Sequence, residues 1–142
     1  MRCYSKLLCL LLFLTCVISA PVAGEMTLPR GAQYLGEAQS DSVDPPFDQH
    51  LRSAIDMLLP QLRQLNSEAT ILIEAYYPGK KGKTREQQIS IAFSLAEQVQ
   101  HYLKVKHSLD RDFVVAIWGD TDNMSKYPKI RFTTYPRDYF DN

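Results

Sequence analysis

The sequence predicts an α+β fold of order (β)-α-β-α-β-β, with two helices packed on one face of a small mixed sheet. Three observations predict it. An apolar run at 71–77 stops at Pro78-Gly79, as a covered strand does. Beyond a basic loop, Ile89, Ala92/Phe93, Ala96, Val99 and Leu103 recur at the spacing of one helix face. A second apolar run at 113–119 then completes a strand–helix–strand unit.

The chain of 142 residues fits one domain behind a leader. Arg2 and Lys6 precede twelve largely apolar positions at 7–18, and Ser19, Ala20, Ala23 and Gly24 follow. That is the layout of a secretory signal peptide over 1–24, with a cut before Glu25. A run of this length is too short for a membrane span, which needs about 20 residues. Cys3, Cys9 and Cys16 all lie in the leader, so a chain cut at Gly24 has no thiol and no cysteine metal site. A second processing route is lipidation of Cys16, although Thr15 and Phe13 fit a lipoprotein signal poorly. Losing the leader removes Arg2 and Lys6 and no acid, leaving 14 cations against 16 anions, a net charge of −2. That balance does not describe a nucleic-acid surface.

Residues 25–46 read as a flexible linker, rich in Gly, Ser, Asp and Pro, with a short edge strand at 32–35 as the alternative. The first helix is expected after Asp44-Pro45-Pro46, with Asp44 as N-cap. Its stripe is Phe47, Leu51, Ala54/Ile55, Leu58, Leu62 and Leu65. Pro60 breaks the pattern at a cost of about 3 kcal/mol and is expected to kink the helix. The next strand spans 70–77. The second helix spans 84–106, with Thr84 and Gln87 forming a capping box. The last strand, at 130–135, is expected at an edge, antiparallel to its neighbour, and Pro136 ends it.

This order, together with several spacings, resembles the OmpA-like C-terminal domain, the periplasmic peptidoglycan-binding module of Gram-negative bacteria. Glu74-Ala75-Tyr76-Tyr77-Pro78 stands where that family has E-G-H-T-D. Gln88, Ile91, Ala92, Leu95, Ala96, Val99 and Tyr102-Leu103 fall on its N-x-x-L-S-x-x-R-A-x-x-V-x-x-Y-L frame. His107, Phe113 and Trp118-Gly119-Asp120 continue in register, and 128–132 takes the place of R-R-V-E-I. The resemblance covers about residues 45–135 and assigns 47–142 to the domain.

In the family, the Asp of H-T-D and the Arg of R-A recognise the diaminopimelate of the peptide stem, the Arg as a bidentate fork. Here those positions hold Pro78 and Leu95, and the loop is about two residues longer. With Tyr76 and Gln88, they make up the ligand site that the resemblance implies, in degenerate form. Losing one charged contact typically costs about 2–5 kcal/mol, so losing two removes most of a micromolar affinity.

The expectation is therefore a non-catalytic periplasmic structural subunit of a cell-envelope assembly, outer-membrane-associated if Cys16 is lipidated. DotK/IcmN-type lipoproteins of Dot/Icm type IVB secretion systems are one such kind. Its partners would be other envelope or secretion-complex proteins. The aromatic residues Trp118, Tyr127, Tyr135, Tyr139 and Phe140 are interface candidates and equally candidates for core packing. The alternative is a peptidoglycan-binding anchor in which Lys80, Lys81, Lys83 and Arg85 meet stem-peptide carboxylates. No enzyme is expected: Ser90 and Ser94 lack triad partners, and His50, His101 and His107 are not spaced as a metal set. No cofactor is implied.

Overall fold

The computed structural model describes residues 28–79, 81–118 and 125–139. The expected signal peptide, Cys16, Lys80 and Phe140 lie outside the described residues. At the centre is β2 (Thr70–Tyr76), whose alternate side chains Ile71, Ile73 and Ala75 are fully buried. Around it are β1 (Gln33–Gln39), α1 (Gln49–Gln64), α2 (Arg85–His101), β3 (Phe113–Ile117) and β4 (Lys129–Tyr135). A π-helical turn, Tyr102–Lys106, prolongs α2, and a short 3-10 turn, Arg137–Tyr139, follows β4. The fold is α+β, with two helices and a four-stranded mixed sheet in the order β1-β4-β2-β3.

Helix α2 links β2 to β3, which pair in parallel with Ile73 beside Val115. Strand β4 runs antiparallel to β2 and to β1. The apolar core lies between the sheet and the helices: Leu35, Ile71, Ile73, Ile130 and Phe132 meet Leu51, Ile55, Leu62, Leu95 and Val99. Helix α1 packs over β1, and α2 over β2 and β3.

Three expectations are corrected. The 25–46 linker is not wholly irregular, because 33–39 forms an edge strand of the sheet. A bulge between Tyr34 and Gly36 sets its two core residues, Leu35 and Ala38, three apart and so breaks the alternation that marks a strand. With β1 paired to its outer side, β4 is an interior strand and not an edge. Finally, α1 is capped by Asp48, not Asp44, and begins at Gln49. The Asp48 carboxylate accepts hydrogen bonds from the Leu51, Asp41 and Ser42 amides and from the Ser40 hydroxyl, all within 2.9 Å. That fastens the loop after β1 to the helix.

The other helix signals match the expected elements, except that Ile89 and Phe93 of the expected α2 face are exposed and Leu95 takes a place on its buried face. Pro60 sits inside α1, exposed, and Leu51, Ile55, Leu59 and Leu62 are buried. At about 1.5–3 kcal/mol for each buried side chain, the stripe outweighs the missing hydrogen bond. The α2 capping box is formed: the Gln87 amide donates to Thr84 Oγ1 at 3.2 Å, and the Thr84 amide donates to Gln87 Oε1 at 2.9 Å. Among the described residues, no helix is long and apolar enough to cross a membrane.

Candidate functional site

Strand β2 and helix α2 meet at the end of the sheet where the resemblance places a ligand site, and the sheet's pleat decides which side chains gather there. Successive residues of a strand point to opposite faces. Ile71, Ile73, Ala75 and Tyr77 therefore turn toward the helices, while Leu72, Glu74 and Tyr76 turn away. Tyr76 packs edge-on against Trp118 at 6.4 Å between centroids, and its hydroxyl donates to the Ser125 carbonyl at 3.3 Å. It stands across the sheet from α2. Leu95 is fully buried in the core. Pro78 is buried, and Gln88 donates from Nε2 to the Lys83 carbonyl at 3.3 Å and packs on Gly79. Of the four degenerate-site residues, then, Pro78 and Gln88 lie together at the loop, and Tyr76 and Leu95 do not join them.

Of the basic residues, Lys83 is half-buried, and Lys81 and Arg85 are exposed. Lys83 lines a cavity of about 350 Å³ between the loop before α1 and the side of α2, with Asp44, Tyr77, Ile91 and Ser94. Burial pushes the Tyr77 hydroxyl above the ordinary tyrosine range, and the nearby charge of Asp44 adds to that. This concavity combines one cation, one anion and one phenol on walls of mixed polarity that include Ser90, Ser94 and Gln98, a donor set for a small zwitterionic or carboxylate group. Sequence reasoning missed Tyr77 and Asp44. Counting the β2 alternation from Ile71 would have found Tyr77. Nothing local marks Asp44, because its neighbours across the cavity come from α2.

The three histidines are separate. His50 Nδ1 lies 3.1 Å from Asp41, and His107 Nε2 lies 2.8 Å from Asp56 Oδ1. His101 is exposed on a groove of about 520 Å³ shared with Phe47, Tyr102 and Val105. The Tyr102 hydroxyl donates to the same Asp56 oxygen as His107 meets, at 2.8 Å, which ties α2 to α1. Among the described residues, no group of three or more His, Cys, Asp or Glu could hold a metal.

The aromatic residues divide. Trp118 is buried, with the Arg131 guanidinium 4.3 Å from its ring centroid, and Arg131 Nε donates to Glu74 at 2.7 Å. Tyr135 and Tyr139 stack at 4.8 Å. Tyr127 and Tyr139 keep 40% and 47% of their surface exposed, so these two remain available for contact. No protein-family model matches the chain, and no curated protein matches it significantly.

Proposed function

We propose that this protein is a non-catalytic structural subunit of a bacterial cell-envelope assembly, built on a scaffold like the OmpA-like domain whose ligand site is lost. One observation carries the reading. The position where the resembled family keeps its carboxylate-gripping arginine is Leu95, wholly enclosed by the core, and the aspartate position is the buried Pro78. Neither side chain can hold an ionic stem peptide, because each sits where a charge would be unpaired. The leader-like sequence at 1–24 supports export to the periplasm, and the exposed Tyr127 and Tyr139 suit protein contacts. A type IVB secretion complex of the Dot/Icm kind is the assembly that the resemblance favours.

The Lys83–Asp44–Tyr77 cavity favours a second reading, a wall anchor that uses substitute contacts. Sedimentation with purified sacculi separates the two. The structural-subunit reading expects the protein in the supernatant and cross-linked envelope partners in detergent extracts. Pelleting with sacculi, abolished by Lys83→Ala, would establish the anchor instead.

A further inference from the structure

The sheet has two edges among the described residues, β1 and β3, and they are built differently. Strand β1 has a bulge, a glycine at positive φ and Glu37 in mid-strand, the devices that keep an edge from pairing. Strand β3 has none of these. Its five residues, Phe-Val-Val-Ala-Ile, carry no charge, proline or glycine, and none is fully buried.

Its hydrogen-bond parity identifies the outward groups. The Asp112 carbonyl accepts from the Ile71 amide at 2.9 Å, and the Trp118 amide donates to the Ala75 carbonyl at 2.8 Å. In a parallel pair, alternate residues bond to the same neighbour. Asp112, Val114, Ala116 and Trp118 therefore address β2, and the N–H and C=O groups of Phe113, Val115 and Ile117 point outward. The same three residues present partly exposed side chains against the core.

We propose that this edge joins two copies of the chain, β3 against β3 antiparallel, about a two-fold axis at Val115. That register sets Val115 opposite Val115 and Phe113 opposite Ile117. All are hydrogen-bonded pairs, so every outward group of both strands gains a partner. Each position of the ladder meets an apolar residue.

Charge on the flanking helix agrees with the same axis. Lys104 Nζ lies 5.6 Å from the Phe113 ring centroid, so this end of α2 is level with the start of β3. The step from Phe113 to Ile117 covers about 13 Å of strand. That distance equals about nine residues of helix and leads back from Lys104 to Leu95, two residues beyond Glu97 in the same turn. The two-fold thus sets Lys104 of each copy beside the exposed Glu97 of the other. Exposed Phe93, one turn earlier, extends the apolar seam.

The test is sedimentation of the purified full chain over a concentration series, in a mild detergent that keeps the apolar 7–18 stretch in solution. A reversible dimer is expected. Val115→Pro deletes an outward amide without touching a bond to β2, and should weaken the dimer by about thirtyfold or more. Hydrogen exchange on the unmutated chain gives a second readout: the Phe113, Val115 and Ile117 amides should lose protection on dilution, while Val114 and Ala116 keep theirs. Lys104→Glu should weaken the dimer several-fold, and adding Glu97→Lys should restore it. A monomer at every concentration, a dimer that Val115→Pro leaves unchanged, exchange at these amides that dilution does not alter, or a charge swap that fails to restore would each overturn the proposal.

Discussion

Removing the Asp48 carboxylate should loosen the joint between β1 and α1. Its Oδ1 accepts the Leu51 amide at 2.7 Å. Its Oδ2 accepts the Ser40 hydroxyl at 2.7 Å and the Asp41 and Ser42 amides at 2.8 and 2.9 Å. Loss of an N-cap costs about 1 kcal/mol. The Asp41 amide is exposed and recovers water, the Ser42 amide keeps Ser40 Oγ at 3.0 Å, and the Ser40 hydroxyl can turn its one proton to the Ser42 carbonyl, 2.7 Å away. The two loop amides therefore add only about 0.5–1 kcal/mol each. Asp48→Ala should cost about 2–3 kcal/mol, or roughly 10–15 °C in Tm for a domain of this size. Asp48→Asn keeps an oxygen for Leu51 and should lose about half as much. Burial alone would raise the Asp48 pKa, but its hydrogen bonds from Leu51, Ser40, Asp41 and Ser42 outweigh burial and hold it below the ordinary 3.8. With the folded value depressed, the contribution is present above the unfolded value and lost as pH falls through the folded one. The stability gap between the unmutated chain and Asp48→Ala should be flat above about pH 5 and shrink in acid. Urea unfolding at several pH values, with Asp44→Ala as control, measures this. A cost for Asp44→Ala larger than that for Asp48→Ala, or a gap that widens in acid, would refute the assignment.

Three further substitutions probe the rest of the fold. Glu74→Ala removes one partner of Arg131, whose side chain is 15% exposed, as that of Glu74 is. Loss of about 2–3 kcal/mol is expected in urea unfolding, less than for a fully buried pair because some water reaches both groups. Gly36→Ala places a Cβ 2.8 Å from Leu58 Cδ2 at a φ of +138°, so thermal melting should drop by an amount equal to about 1–3 kcal/mol. Leu95→Arg introduces, at a fully buried position, the charge that the resembled family carries there, and should cost about 4 kcal/mol or more, read as lost far-ultraviolet ellipticity. A folded Leu95→Arg protein that sediments with sacculi would show that this position faces a ligand after all.

Much of the site was illegible in the sequence for a specific reason. Placing Tyr76 in it followed the family frame, but strand parity sends Tyr76 to Trp118 and brings Tyr77 to the helix side. Leu95 falls on the apolar face of α2 beside Ala92, Ala96 and Val99, and burial there follows from helical period alone. The wall-facing interpretation of that position came from the resemblance, and the period argued against it.

What the sequence determined by itself was local. The capping box at Thr84, the α2 and α1 stripes, and the strands after Ala69 and Asp112 each follow from a periodicity or a cap within a few residues. What only the tertiary structure decided was pairing. The bulged 33–39 segment becomes a strand because β4 is there to receive it, nearly a hundred residues further along. The same event moves β4 from an edge to the interior and leaves β1 and β3 as the two edges among the described residues. Asp48 displaces Asp44 as the cap because the turn leaving β1 delivers the Ser40, Asp41 and Ser42 donors to it. Backbone hydrogen bonds between distant segments carry no local signature, so the sheet order and the joint that depends on it emerge only when the chain closes on itself.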